Sequence, residues 1–290
     1  MICPHCDSNQ IARRRRRTSL GYRTFRCRGC GRSFNERSGT PFNQLQVPTD
    51  VVRLAVLWRL RYKLSLRDVA ELLLDRGFQV THETVRSWEF RFAPLLVDEL
   101  RAQRRGRAGV SWYLDETYVR VGGRWCYLYR AVDHRGDLID SMLSEHRDKH
   151  AARMFLRRML AVTDSRPQRI TTDLHPAYRR AIRWIIGRKA RHRTTQYLNN
   201  YTEQSHRAVK QRYYPMLGFG SFESASRFCS AFDELRQYLR VRRRWQSEPS
   251  LAEQRQISSV AGARSLQGLR RRERWDHRVI VLFAPSEPEI

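Results

Sequence analysis

The order of apolar segments after residue 110 restricts the possible fold more than any other feature of the sequence. Three segments rich in aromatic and β-branched residues, WYLDETYV, RWCYLYRAV and LIDSMLS, are separated by the turn sequences GG and HRGD. They predict a three-stranded antiparallel meander. After it come DKHAARMFLRRMLAVT (a helix), QRITT (a strand), HPAYRRAIRWII (a helix with Pro176 in its first turn), a short strand near TTQYL, and YTEQSHRAVKQRY (a helix). This alternation is typical of an α/β fold, the ribonuclease-H-like domain, which we place at residues 105–245, with a basic helix at 222–244.

This order places three acids where they can meet. Asp115 lies in the first strand, Asp173 ends the fourth strand, and Glu203 begins the late helix. The first and fourth strands of this fold are expected to be neighbours with the late helix packed on them, so the carboxylates can converge. Carboxylate oxygens suit Mg²⁺ or Mn²⁺, and two such ions can activate an attacking oxygen and stabilise a leaving one in phosphodiester chemistry. By position, the candidate catalytic and magnesium-binding residues are Asp115, Asp173 and Glu203.

Glu116 directly follows Asp115, which raises the question of which acid is the ligand. Side chains alternate along a strand, so the two carboxylates are expected on opposite faces of the sheet. A regular strand can hardly supply both neighbours to one metal cluster. The residues by themselves leave either one possible.

The helix that begins at Glu203 has basic residues on the same face as the acid. These predicted DNA contacts lie one and two turns further along, at His206, Arg207 and Lys210. The pattern suits a helix lying along a DNA end. An ordinary Glu–Arg surface pair at i,i+4 spacing explains it equally well.

The charge of the chain indicates a polyanionic partner. The 290 residues include 56 Lys and Arg against 29 Asp and Glu, a formal net charge of +27, and nearly all the basic residues are Arg. Arg binds phosphate through paired N–H groups and stacks on bases. An Arg-rich proteome can explain part of this bias, but double-stranded DNA is the default interpretation. We expect no membrane association, because no run of about 18 apolar residues exists, and a cytoplasmic location, because no signal region follows Met1.

Two C-x2-C pairs predict a zinc ribbon at residues 1–45. Structural zinc takes four ligands in a tetrahedron, and two such pairs supply four thiols. Four thiols complete the site, so His5 is not expected to be a ligand. Accidental thiol pairs in a basic tail are the alternative, and close pairs fit a reducing compartment better than disulfides. The predicted Zn²⁺ ligands are Cys3, Cys6, Cys27 and Cys30.

Between the two pairs lies RRRRR, followed by GYRTFRC. This pattern indicates the tip of a basic hairpin with aromatic residues in the strand behind it. A solvated charged surface is the plain alternative, but a basic run held on a rigid knuckle favours phosphate contact. The DNA contacts predicted here are Arg13, Arg14, Arg15, Arg16 and Arg17. Residues 31–48, rich in Gly, Ser, Asn and Pro, are predicted to be a linker.

Residues 46–100 predict a three-helix, helix-turn-helix domain. Apolar residues at helical spacing over 51–58 predict the first helix. Ser65 is a plausible N-cap for the second helix, which Gly77 ends, and the third begins near Thr81 or His82. The last helix of this motif enters the major groove, whereas a plain helical bundle would not. The predicted DNA contacts are His82, Glu83, Arg86, Ser87 and, nearer the backbone, Arg91.

Several of these segments resemble the DDE transposases of bacterial insertion sequences, in particular the IS-six family. The matching segments are WYLDETYVRVGGRWCYLYRAVDHRGDLIDSMLSEHRD, ITTDLHPAY and QYLNNYTEQSHRAVKQRYYPMLGF, with LSLRDVAELLLDRGFQVTHETVRSW resembling the family's helix-turn-helix. The resemblance spans about residues 45–240. It implies that Asp115, rather than Glu116, joins Asp173 and Glu203 as a metal-binding triad. Glu116 then becomes a structural acid beside the triad, paired with an Arg.

The resemblance also implies an activity. This is Mg²⁺-dependent cleavage at terminal inverted repeats, attack of the freed 3′-hydroxyl on target DNA, and a cointegrate product of replicative transposition. A homodimer or larger assembly is implied, because two DNA ends must be paired. The gap between Asp173 and Glu203 is shorter than usual in the family, and only some members have a zinc ribbon.

Two other interpretations of the function stay open: a sequence-specific DNA-binding regulator on an inactive transposase fold, and a general nuclease of the ribonuclease-H class. Residues 101–109 are predicted to form a second linker. We assign no role to the basic tail at 246–290.

Overall fold

The computed structural model describes residues 1–194, 200–214 and 218–240, and for residues 200–205 it describes the backbone alone. The chain divides into two compact units, whose described residues are 1–46 in the first and 47–240 in the second. Among the described helices, none is long and apolar enough to cross a membrane.

The first unit is a small antiparallel sheet of three strands in the order β1-β2-β3. A buried cluster of its described residues consists of Cys3, Phe25, Cys27 and Phe34, with the two aromatic rings stacked at 5.5 Å between centroids. A cluster of this size contributes little stability by itself, and small domains usually need a metal or disulfides. The strands are β1 (Ile11–Arg17), β2 (Arg23–Cys27) and β3 (Ser33–Asn35).

Two predictions about this unit are wrong in detail. The five-arginine run does not form the tip of the hairpin; it forms most of strand β1, with all five residues exposed, and the turn follows at residues 18–22. Residues 31–48 are not simply a linker, because they contain β3 and the buried Phe34 and Phe42. Isolated aromatic residues in a Gly- and Ser-rich stretch give no periodic pattern, so their burial is hidden from sequence analysis.

The second unit begins with three helices, as predicted. Ser65 caps α2 through a capping box with Asp68, and Thr81 caps α3 by accepting a hydrogen bond from the Thr84 backbone. Gly77, with a φ of 78°, lies in the turn after α2. The helices are α1 (Thr49–Arg61), α2 (Leu66–Leu74) and α3 (His82–Arg104).

The central sheet of the second unit has the strand order β6-β5-β4-β7-β8. Strand β5 is antiparallel to its two neighbours, whereas β7 and β8 run parallel to β4. This arrangement confirms the ribonuclease-H-like fold and places the first and fourth strands side by side, as predicted. A strand lies at residues 191–194, and most of the strand predicted near TTQYL lies outside the described residues. The strands are β4 (Ser111–Val121), β5 (Arg124–Asp133), β6 (Leu138–Ser144), β7 (Arg169–Thr172) and β8 (Arg191–Thr194).

Helices cover the sheet on both faces. One face packs against α4 and α5 through a core that includes Trp112, Leu114, Phe155 and Tyr178. Helix α6 contacts β4 and β5, and α7 packs against β6, α1 and α3. The helices are α4 (Lys149–Thr163), α5 (Pro176–Ile185), α6 (Asn200–Tyr213) and α7 (Phe222–Tyr238); the predicted continuation of α7 over 241–244 lies outside the described residues.

Buried ion pairs join the end of α3 to α7 and the sheet, a feature that we call the ionic joint. Glu234 of α7 accepts hydrogen bonds from Arg101 at 2.9 Å and from Arg104 at 2.7 and 2.6 Å. Arg101 also donates to Asp140 of β6 at 3.0 Å, and Arg158 lies 2.7 Å from the same carboxylate. Burial raises the pKa of Asp140, and these two guanidinium groups oppose that rise. The predicted linker at 101–109 is therefore wrong for residues 101–104, which extend α3 because their arginines bind buried acids.

Candidate active site

Two of the predicted acids come together at the ends of adjacent parallel strands. The register of β4 and β7 pairs Tyr113 with Thr171, and Asp115 and Asp173 each follow two residues later. Oxygen atoms of Asp115, Glu116 and Asp173 lie within 4.8 Å of one another. The topology alone therefore brings the two predicted carboxylates to one point of the sheet.

Glu116 belongs to the same cluster, which the alternation of side chains did not predict. Its carboxylate is almost fully buried, with the side chain 3% exposed. The Tyr178 hydroxyl donates to Oε1 at 2.6 Å, and Arg147 donates to Oε2 at 3.4 Å and to Asp173 at 2.8 Å. The Glu side chain is one methylene longer than Asp, so Glu116 reaches the cluster from the α5 face of β4. The expectation that Glu116 pairs with an Arg is confirmed.

The electrostatics of the cluster fit a divalent cation. Burial raises the pKa of Glu116 to about 7, the Tyr178 hydrogen bond opposes this rise, and the neighbouring Asp173 adds to it. The guanidinium of Arg147 contacts two of the three carboxylates, Glu116 and Asp173, so three negative charges here exceed the positive charge that it supplies. Oxygen donors at such spacing are the ligands that Mg²⁺ and Mn²⁺ prefer.

Helix α6 reaches the cluster from the opposite face of the sheet. His206 Nε2 lies 3.2 Å from Asp115 Oδ2, and burial lowers the pKa of this histidine. The predicted DNA contact of His206 does not fit its burial, because its ring faces the sheet, whereas Arg207 and Lys210 are exposed. Glu203 lies one turn before His206 on α6, and its side chain is outside the described residues.

The residues predicted to read DNA lie at the start of α3. Glu83 accepts from Arg86 at 2.9 Å and lies 3.2 Å from His82, so part of the charge there is internally balanced. Ser87 and Arg91 are exposed. These side chains are accessible to a duplex, and all but Arg91 line a cleft of about 750 Å³ that the start of α7 closes on the other side.

The four predicted zinc ligands form one cluster in the first unit. The Sγ atoms of Cys3 and Cys30 are 3.8 Å apart, and those of Cys6 and Cys27 are 3.5 Å apart. Sulfurs about 2.3 Å from a tetrahedral zinc ion would be separated by roughly 3.8 Å, so the cluster has the right size. A hydrogen bond from the Cys30 backbone lowers the pKa of Cys27 to about 6, which favours the metal-binding thiolate.

Sequence reasoning missed Arg147 and Tyr178. A lone Arg gives no signal in a chain this rich in Arg. Tyr178 lies on the buried face of α5 among Ala and Ile, and a buried tyrosine hydroxyl usually has a hydrogen-bond partner, so a partner could have been sought.

Comparison with known proteins places this site in a family. A family model described as a DDE domain, of the IS240 transposase type, matches residues 109–242. The transposase for insertion sequence-like element IS431mec of Staphylococcus aureus strain Mu50 is 38% identical over 175 residues, which cover 59% of this chain and 77% of that protein. The transposase for insertion sequence element IS257 in transposon Tn4003 of Staphylococcus aureus has the same identity and coverage.

Among solved structures, the HTLV-2 integrase catalytic core domain in complex with magnesium covers 53% of this chain and 99% of its own. Its identity is 14% and its TM-score 0.35, below the level that indicates a common fold by itself. The staphylococcal relatives match over most of their length, and the segment that matches the family model contains the acidic cluster. The chain therefore belongs to the DDE transposases of bacterial insertion sequences, in the IS-six family, and is a polynucleotidyl transferase.

Proposed function

We propose that this transposase binds the terminal inverted repeats of its insertion sequence, cleaves one strand at each end, and joins the freed 3′-hydroxyl to target DNA, with a cointegrate as the product. The observation that supports this most directly is the meeting of Asp115 and Asp173 at the ends of two parallel strands, inside the segment that matches a DDE domain. Replicative transposition and the pairing of two ends by a homodimer or larger assembly are part of the same proposal.

The residues proposed to hold the divalent ion are Asp115, Asp173 and Glu203. When bound, Mg²⁺ or Mn²⁺ would supply Lewis-acid stabilisation of the attacking and leaving oxygens. The chain itself orients the ligands. Arg147 holds one oxygen of Asp173, and His206 contacts one oxygen of Asp115. Positioning of this kind keeps the carboxylates aimed at one point before substrate arrives.

Double-stranded DNA is proposed to contact three exposed surfaces. The start of α3 would enter the major groove and read bases. Arg207 and Lys210 on α6 would contact the backbone close to the acids, and the arginines of β1 would bind phosphate elsewhere. We further propose that Zn²⁺ occupies the four-cysteine cluster and that the protein acts in the cytoplasm.

The test uses purified protein, a labelled duplex carrying the inverted repeats that flank the gene, a supercoiled target and Mg²⁺. We expect nicks at the repeat ends and joined products. Binding without nicking or joining would overturn the proposal in favour of a regulator on an inactive fold. Cleavage that is indifferent to the repeat sequence would instead indicate a general nuclease.

Replacing Tyr178 with Phe is expected to lower strand transfer by about 10- to 100-fold, as loss of a hydrogen bond that orders the surroundings of a metal site typically does. The variant keeps the buried ring but leaves Oε1 of Glu116 without its 2.6 Å donor, which frees that carboxylate to shift within the cluster. We also expect the Mg²⁺ concentration for half-maximal activity to rise. Tyr118→Phe, an exposed tyrosine of β4, is the matched control. Unchanged Mg²⁺ dependence in Tyr178→Phe would contradict a role in positioning.

Replacing Cys27 with Ser is expected to release zinc and weaken DNA binding. One thiolate of the cluster is lost, and a three-ligand site in a unit with so small a core binds the ion poorly. Metal analysis should find about one zinc ion per chain in wild-type protein and in Cys126→Ala, whose buried thiol belongs to β5, and almost none in Cys27→Ser. Finding no zinc in wild-type protein would contradict the assignment of a zinc ribbon.

A further inference from the structure

A basic cleft of about 1020 Å³ opens beside the acidic cluster. Its walls are α5, β8 and the beginning of α4. No DNA contact was predicted here from the sequence, and none of the residues that line the cleft belongs to α3. Five exposed cations line it: Lys149, Arg179, Arg180, Arg183 and Arg188.

The charge of this basic cleft is uncompensated. Among the described residues that line it there is no Asp or Glu, and within the described part of the chain none of its five cations forms a salt bridge. A second cleft beside α4 is a useful contrast, because the exposed Arg157 there shares the walls with Glu145 and Asp148. A chain that is merely rich in Arg would be expected to mix charges in the first cleft as it does in the second.

Among the described residues, the arginines of α5 make no ion pair that would stabilise the fold. Helix α5 buries Tyr178, Ala181 and Ile182 on one side and places Arg179 and Arg183 one turn apart on the other. Like charges at i,i+4 destabilise a helix, and no acid of α5 relieves them. An external polyanion would relieve this repulsion.

The basic cleft is built directly onto the active site. Its wall begins at Leu174, the residue after Asp173, and the next backbone N–H, that of His175, donates to Asp173 Oδ1 at 3.1 Å. On the other wall, His192 of β8 lies 2.9 Å from the hydroxyl of Thr172. A backbone held in the cleft would therefore pass within one or two residues of a catalytic carboxylate. Leu174, 68% exposed, offers an apolar contact for a sugar or base at this junction.

We propose that the basic cleft binds the phosphodiester backbone of duplex DNA at the active site. This inference rests on the proposed function, and it names a DNA-binding surface of that same site. Two duplexes have this chemistry, the end of the element and the target, and the experiment distinguishes them. Arg179 and Arg183 lie one turn apart on one face of α5, so both are expected to contact the same DNA backbone. The test therefore replaces both residues at once.

The test compares wild-type protein with Arg179→Gln/Arg183→Gln and with the control Arg157→Gln, all at exposed positions. Affinity for a repeat-end duplex and for an unrelated duplex is measured by fluorescence anisotropy over a range of salt concentrations, and strand transfer is measured from a pre-cleaved end. Each lost phosphate contact should reduce the magnitude of the slope of log K against log salt by about 0.9. The slope of the double variant should therefore be smaller in magnitude by roughly 1–2.

A reduced slope on the repeat end, with weaker affinity for that duplex, assigns the cleft to the element end. A normal slope on the repeat end, with a reduced slope on unrelated duplex and strand transfer at least tenfold lower, assigns it to target DNA. The proposal is overturned if the double variant matches Arg157→Gln in slope on both duplexes and in strand transfer. If wild-type protein joins no DNA at all, the slopes still decide whether the cleft binds DNA, while the proposed function fails separately.

Discussion

Replacing Asp173 with Asn should reduce strand cleavage and strand transfer by about 10³-fold or more. The substitution removes one negative ligand from a cluster whose oxygens lie within 4.8 Å of one another. Charge stabilisation by a bound metal is worth several kcal/mol in the transition state, and about 4 kcal/mol corresponds to a thousandfold in rate. Asn also cannot accept the ion pair from Arg147 in the same way, so the guanidinium would lose a partner at 2.8 Å. Single-turnover assays with a labelled repeat end measure the effect.

The control for this prediction is Asp164→Asn. Asp164 is an exposed acid at the end of α4 with a φ of 52°, a conformation that Asn adopts readily. It should leave activity unchanged, and both variants should bind the repeat-end duplex like wild-type protein. Asp115→Asn and Glu203→Gln are expected to behave as Asp173→Asn does. Near-normal turnover in any of the three would remove that residue from the catalytic set.

Replacing Glu234 with Ala should lower the free energy of unfolding by about 3–5 kcal/mol. The carboxylate is buried and receives three hydrogen bonds from Arg101 and Arg104. Removing it leaves both guanidinium groups largely buried with a missing partner, and the cost of such uncompensated charge exceeds the loss of an exposed pair. Denaturant unfolding followed by circular dichroism measures the change.

Glu223→Ala is the matched control on the same helix. Glu223 is exposed in the first turn of α7, and a surface substitution of this kind normally changes stability by no more than about 0.5 kcal/mol. A Glu234→Ala variant as stable as Glu223→Ala would show that the ionic joint contributes nothing to the folded state.

Most of the sheet could be predicted because its strands either alternate apolar and polar residues or are apolar over most of their length. Strands β4, β5 and β6 contain aromatic and β-branched residues throughout, whereas β8, with the sequence RHRT, has no buried residue and gives no apolar pattern from which it could be predicted. The end of α3 was missed for a related reason. RAQRR consists of good helix formers but has few apolar residues to mark a buried face, and the acids of β6 and α7 that its arginines bind lie more than 30 residues away in sequence.

The residues of the candidate active site also fall into two groups, those that could be placed from the sequence and those that could not. Asp115 and Asp173 could be paired because strand order alone makes their strands neighbours. The positions of Glu116, Arg147 and Tyr178 depend on side-chain reach and on packing between β4, α5 and the loop before α4. The spacing of residues along the sequence contains no information about such contacts. Glu116, Arg147 and Tyr178 therefore could not be assigned to the cluster from the sequence.

The ionic joint has a consequence for the geometry of cleavage. It ties the far end of α3 to the sheet that contains Asp115, while the near end of α3 is the part proposed to read bases. A helix of 23 residues is about 34 Å long, which is close to one turn of duplex DNA. If the near end enters the major groove as proposed, the length of α3 would fix the distance between the bases that are read and the phosphodiester that is cut. An insertion between these two positions in the DNA is then expected to move the site of cleavage.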